Sequence, residues 1–272
     1  MAPLFNIPSS TTNFSTARLF VEIGECCLSY FILDHSDKIS SICVYQFTDK
    51  LQTESEVRNI LYNDPLFKEK FEKIDIIYSF ADSVLVPREI INNVANKDLL
   101  ELVYGDFADK LIRNDQVVPL NIQNVYRIPT AVGNVVNNLF PAAHVHHLYS
   151  LLPVMLNLTG NRLSAIFSTT HIIVVLSKDG HLQVMQNFTY QTPEDAAYHL
   201  LNTCQSFDVD VNEVNLLLSG MIAESSPLYA ELYKYFLNID LALLPVQYEY
   251  SDEIKKYPQH FFSHLFTIAE CV

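Results

Sequence analysis

Apolar residues arrive in short runs from Arg18 onward. Leu19-Phe20-Val21-Glu22-Ile23 stops at Gly24, and Leu28 to Leu33 stops at the polar turn Asp34-His35-Ser36-Asp37-Lys38. Ile39 to Phe47 is a third run. Runs of this length, rich in β-branched and aromatic residues and bounded by turn residues, predict three strands in a meander. Residues 1–16, with Ser9, Ser10, Thr11 and Thr12 in succession, read as a flexible lead-in. The period then changes. Val57, Ile60 and Leu61 form a helical stripe, and Thr53 with Glu56 reads as a capping box at its start. Ile74 to Phe80 predicts another strand, and Val84 to Val86 a short one stopped by Pro87. Residues 88–122 mix helix and loop signals. Thr130 to Leu139 reads as a helix, and His146 to Leu158 as a second one kinked at Pro153.

The opening pattern recurs from Arg162. Leu163 to Phe167, Ile172 to Leu176 and Leu182 to Phe188 predict three strands, with a turn at Lys178-Asp179-Gly180. In an ungapped overlay Arg18 falls on Arg162, Gly24 on Ser168 and Leu28 on Ile172. A helix follows in both halves. The second has a clean start: Thr192 caps, Pro193 takes the first position, and Glu194 and Asp195 lie in the first turn. A strand at Val214 to Leu218, a turn at Ser219-Gly220, a helix from Ser226-Pro227, a strand from Asp240 to Leu244 and a last helix over 258–269 complete the chain. A meander followed by alternating helices and strands predicts mixed sheets with helices on their faces, in two copies.

Composition narrows the function classes. The chain has 272 residues, of which 49% are hydrophobic, enough for substantial cores. Seventeen basic against 31 acidic residues give a formal charge of −14, which argues against nucleic acid and anionic membrane as partners. No apolar run reaches the roughly 18 residues of a membrane span, so no membrane insertion is expected. The N-terminal residues do not read as a secretion signal. Five cysteines, an odd number without a CxxC, fit a cytoplasmic location and packed thiols.

Three short stretches could carry chemistry. Glu22-Ile23-Gly24 places a carboxylate and a glycine at the end of the first strand of half one, and Ile166-Phe167-Ser168 is its counterpart in half two. Leu216-Leu217-Leu218-Ser219-Gly220 is an apolar strand ending in two small residues. With these stretches at these places, residues 18 to 270 resemble the actin-like ATPase superfamily, whose lobes have an RNase H-like fold. More closely, the chain resembles an uncharacterised bacterial domain-of-unknown-function family in that superfamily. The resemblance implies two α/β lobes around a cleft: lobe one at 1–158, with 258–272 returning to it, and lobe two at 159–257. It also assigns roles. Glu22 and Gly24 fall on the first phosphate motif, Asp-x-Gly, whose carboxylate holds Mg²⁺ through water. Ser168 falls on the glycine of the second phosphate motif, and Ser219 and Gly220 fall on the adenosine motif.

This chain departs from that pattern. Glutamate replaces aspartate at residue 22, Glu25 adds negative charge after the glycine, and Ile166 stands where the family's second motif has its aspartate. Gln191-Thr192 replace the glycine pair before the following helix. Hydrolysis needs a cation site, a positioned water and a phosphate cradle together, so no catalytic residue is expected. The leading expectation is a degenerate actin-like protein that acts as an interaction or scaffold protein with an unknown protein partner. No cofactor follows from the residues; ATP with Mg²⁺ is the one that the resemblance would bring, bound weakly if at all. The alternatives are a Mg-ATP-dependent kinase or ATPase using Glu22, and a small-molecule sensor. His144, His146 and His147, like the i, i+4 pair His260 and His264, lack accompanying cysteine or carboxylate ligands and read as core or surface histidines. No P-loop, GxGxxG or GxSxG occurs.

Overall fold

The computed structural model describes residues 2–8, 13–47, 52–91, 95–156 and 158–272. The chain forms two compact units: Met1–Leu151 with Gln247–Ile254, and Leu152–Val246 with Lys255–Val272.

The first unit opens with β1 (Phe5–Ile7), β2 (Arg18–Gly24), β3 (Cys27–Leu33) and β4 (Lys38–Gln46), followed by α1 (Thr53–Asn63) and β5 (Lys73–Ser79). Next come β6 (Ser83–Pro87), α2 (Arg88–Ile91), α3 (Asn96–Tyr104), β7 (Lys110–Val117) and β8 (Ile122–Pro129). After α4 (Thr130–Leu139) and β9 (His144–His147), α5 (Leu148–Met155) leads out of the unit. The main sheet has the order β1-β4-β3-β2-β5-β9. Strands β2, β3 and β4 pair antiparallel, whereas β5 lies parallel to β2 and β9 parallel to β5. Alternation sorts the faces of β2. Leu19, Val21 and Ile23 enter a core with Val57, Ile60 and Leu61 of α1 and Val132 and Val136 of α4. Arg18, Phe20 and Glu22 occupy the other face. Burying each large aliphatic side chain contributes roughly 1.5–3 kcal/mol.

The second unit repeats this layout with β10 (Arg162–Phe167), β11 (His171–Lys178), β12 (His181–Thr189), α6 (Pro193–Ser206), β13 (Asn215–Gly220), α7 (Pro227–Leu232) and β14 (Asn238–Leu241). Its sheet order, β12-β11-β10-β13-β14, matches β4-β3-β2-β5-β9 of the first. Leu163, Ala165 and Phe167 pack against Ala196, Leu200 and Cys204 of α6 and Leu232 of α7. The short strand β15 (Glu249–Tyr250) then pairs parallel with β4 of the first unit, and α8 (Ser263–Thr267) belongs to the second.

Several sequence expectations change. The lead-in is partly structured, because Phe5–Ile7 adds an edge strand to β4; Ser9 to Thr12 lie outside the described residues. Gln52 is the N-cap of α1 and makes no side-chain cap. The hydroxyl of Thr53 donates instead to the Glu25 carbonyl at 2.5 Å, so no capping box forms. His144–His147 form an edge strand, and the helix starts only at Leu148, because the backbone pairs with β5. Residues 83–129 carry their own antiparallel sheet, ordered β6-β8-β7. Ser219 and Gly220 are the last residues of β13 rather than a turn, held in parallel register with Ile166 and Phe167. The segment returning to the first unit is Gln247–Ile254, not 258–272. His260 fixes the end of the chain in the second unit through a 2.6 Å bond from its ring to the Ile222 carbonyl.

Candidate functional site

Glu22 and Gly24 stand at the end of β2 in the first unit. Glu22 is 9% exposed, and its carboxylate accepts a 3.0 Å bond from the Ser29 hydroxyl. Burial pushes this carboxyl above its usual range, and the hydroxyls of Ser79 and Ser29 pull it part of the way back. The neighbouring Cys27 thiol is pushed well up by burial and then by Glu22. Gly24 lies opposite Ser79 in the parallel ladder. A Cβ there would come within 2.5 Å of the Ser79 hydroxyl, so the neighbouring strand favours glycine through a contact that a shift of that side chain can relieve. The Glu25 carboxylate turns back onto the backbone and accepts from the Ala81 N–H at 3.3 Å.

Ser168, Ser219 and Gly220 belong to the second unit. The Ser168 N–H donates to the His171 carbonyl at 2.8 Å. Its hydroxyl lies 3.1 Å from the same carbonyl and accepts from the His171 N–H at 3.0 Å. Its own carbonyl accepts from Tyr190 at 2.6 Å. The hairpin turn is therefore closed on itself, with both of the serine's donors engaged. Gly220 has φ of +83°, and a Cβ there would lie 2.1 Å from the Phe167 carbonyl oxygen. The close backbone of the parallel neighbour β10, together with the positive φ, fixes that glycine. At the start of α6, the amides of Gln191 and Thr192 both donate to the Asp195 carboxylate at 3.0 Å, completing a capping box. These backbone bonds hold Asp195 below its usual carboxylate range.

Ile166 and Ser219, cross-strand neighbours, are brought together on one wall of a cavity of about 520 Å³ inside the second unit. Its floor is the β10–β13 face that also bears Arg162, Ser164 and Leu217, and Met155 of α5 and His264 of α8 face it. Ser168 and Gly220 do not line it.

Sequence reasoning passed over two polar groups in the first unit. Asp75, 0% exposed, lies 3.2 Å from Arg18 and 3.1 Å from Lys73, with His144 at 3.5 Å. A carboxylate inside Ile74-Asp75-Ile76 was the available signal, since a charge in an apolar strand needs a partner. Asp115 accepts from the His147 N–H and the Ser150 hydroxyl, both at 2.7 Å, and from Tyr126 at 3.2 Å. The His147 ring spans the Phe80 carbonyl at 3.0 Å and the Tyr149 N–H at 3.1 Å, which fixes the tautomer with its proton on Nε2. Burial lowers its pKa to about 3. His147 and His260 are thus core histidines, as expected. Among the described residues no cluster of three or more histidine, cysteine or acidic side chains is arranged to hold a metal ion, and no helix is long and apolar enough to cross a membrane.

Known structures share this architecture. A Bacteroides thetaiotaomicron protein described as having an actin-like ATPase fold and unknown function aligns with a TM-score of 0.75 at 15% identity, over 84% of this chain and 91% of that one. A PilM–PilN type IV pilus biogenesis complex supplies a second likeness, with a TM-score of 0.58 at 12% identity over 94% of this chain and 98% of the other. At these identities the likeness shows the fold, which is the actin-like ATPase fold. A search of curated protein sequences gave no match. A family described as Protein of unknown function (DUF3822) matches residues 8–239. That match spans well over half of the sequence, and the chain belongs to the DUF3822 family.

Proposed function

We propose that this protein is a cytoplasmic interaction protein whose inherited nucleotide site no longer works. The observation that carries this reading is the closed turn at Ser168, whose N–H and hydroxyl are both spent on His171. A phosphate cradle needs free donors at that place. The surrounding residues agree with it. Glu22 is held by hydroxyls in a buried setting, Ile166 is apolar and buried, and the α6 amides already bind Asp195. Mg-ATP does not fit such a set.

The partner surface is best sought on residues 83–129. There Ile90, Leu102, Val103 and Val118 are exposed, and Leu102 is 84% exposed. These exposed large apolar residues, on α2, on α3 and in the turn after β7, support a protein contact on this segment. The solved PilM–PilN assembly supports the idea that this fold can serve as a platform for a partner. The test is a titration with Mg-ATP, followed by melting temperature and by phosphate release. Neither should change. A shift of several degrees or steady turnover lost in Glu22→Ala would instead support the ATP-dependent enzyme. Leu102→Lys with Val118→Lys should leave the melting temperature unchanged and abolish capture of the partner.

A further inference from the structure

The two sheets place an arginine at the same point, Arg18 on β2 and Arg162 on β10. In the first unit Arg18 pairs with the buried Asp75 at 3.2 Å, and its guanidinium lies 4.8 Å from the centre of the Phe20 ring. Phe20 and Asp75 face each other across the parallel ladder. The equivalent ladder position in the second unit pairs Ser164 with Leu217. The ring has become a hydroxymethyl group and the carboxylate an isobutyl group.

Two physical consequences follow. Removing a phenyl ring from a packed face leaves a void, and the cavity of about 520 Å³ lies over Ser164. Removing the carboxylate leaves a half-buried guanidinium with no ion-pair partner among the described residues; its one hydrogen bond, 3.4 Å, goes to the Leu156 carbonyl, and its Nε is buried without an acceptor. An uncompensated cation against apolar walls calls for an anion. Asp240 also borders the cavity, but its carboxylate is held by Asn215 at 2.6 Å and it is solvent-exposed. Opposite the sheet, Nδ1 of His264 is likewise buried without a partner. Burial holds that imidazole down to about 4, so at neutral pH it faces the cavity as an uncharged hydrogen-bonding group.

We propose that this cavity binds a small monocarboxylate with an apolar aryl or alkyl body. The ligand's carboxylate does for Arg162 what Asp75 does for Arg18, and its body fills the space that Phe20 fills in the first unit. The volume lies within the range of small-molecule pockets, whose walls are mostly apolar with a few convergent polar groups. The cavity shares Ile166 and Ser219 with the nucleotide-motif stretches, but Arg162, Ser164 and His264, on which the proposal rests, lie outside them.

The test uses the full chain and three probes: 3-phenylpropionate, the uncharged 3-phenylpropan-1-ol, and acetate. Calorimetry should show 3-phenylpropionate binding at least about tenfold more tightly than the alcohol, the factor expected of one charge-assisted bond, and acetate not binding. Arg162→Met should remove that preference and leave the alcohol's affinity unchanged. The double variant Ser164→Phe with Leu217→Asp rebuilds the first unit's arrangement in the second. It should bind no probe. If that variant does not fold, Ser164→Phe alone fills the cavity and should also bind none. Perturbation of the His264 ring resonances by 3-phenylpropionate would place the ligand in the cavity. Equal affinity for acid and alcohol, unaltered preference in Arg162→Met, binding that survives Ser164→Phe, or no binding of either aryl probe would overturn the proposal.

Discussion

Strands β2 and β10 have the same length of core-facing alternation, the same parallel neighbour and the same place in their sheets. On the face turned away from the helical core, however, Arg18, Phe20 and Glu22 of the first correspond to Arg162, Ser164 and Ile166 of the second. Their parallel partners are Asp75 and Ile77 in one case and Leu217 and Ser219 in the other. The core faces are alike: Leu19, Val21 and Ile23 against Leu163, Ala165 and Phe167. Topology is therefore held by the face packed on α1 and α4 in one unit and on α6 and α7 in the other, and the opposite face is free to exchange a packed ion pair for a cavity.

Perturbing equivalent positions sharpens this contrast. The largest effect is expected from acid. His147 in the first unit has its pKa lowered to about 3, against an ordinary value of 6.5. The unfolded chain takes up the proton first, so stability is full above about 6.5 and is lost as the pH falls towards 3, by roughly 4–5 kcal/mol from this group. His264 in the second unit acts in the same direction over the narrower span down to about 4. Denaturant midpoints measured from pH 7 to pH 4 should fall for the parent. They should fall less steeply for His147→Gln, which keeps a donor and an acceptor and does not titrate.

The two glycines should part next. Gly220→Ala meets the Phe167 backbone and a positive φ, and should cost roughly 3–4 kcal/mol. Gly24→Ala meets only the Ser79 hydroxyl and should cost about 1–2 kcal/mol, partly recovered by adding Ser79→Ala. Equal losses in thermal denaturation would show that Ser79 is as immovable as backbone. Asp75→Leu copies the second unit into the first. It leaves Arg18 and Lys73 without their buried partner and should cost about 3 kcal/mol. A smaller loss would mean that water replaces the carboxylate easily. The helix starts give the smallest difference. Thr192→Ala breaks the α6 capping box and should cost about 1 kcal/mol, whereas Glu56→Ala, which breaks no box in α1, should stay within about 0.5 kcal/mol.

Much of this architecture was legible in the chain. Strands β2–β5 and β10–β13, helices α4 and α6, and the repeat were visible because each rests on local alternation, turn residues or a cap. The departures at Glu22 and Ile166 were visible because they are matters of residue type. Other elements misled. His144-Val145-His146-His147 joined a helical pattern, yet the sheet edge offered by β5 claimed its backbone. Thr53 and Glu56 had the spacing of a capping box, but the Glu25 carbonyl took the threonine hydroxyl.

The sequence by itself determined the fold and its duplication, because periodicity and local propensity act between residues close in the chain. It also determined that the second half carries Ile166 where the first half carries the carboxylate of Glu22. Only the tertiary structure decided that Ser168 has no donor to spare, that Gly220 is required by the neighbouring strand, and that Arg162 has no acid partner among the described residues whereas Arg18 has Asp75. Each of those depends on a partner brought in by ladder register or hairpin closure, and such pairing cannot be read from spacing along one strand.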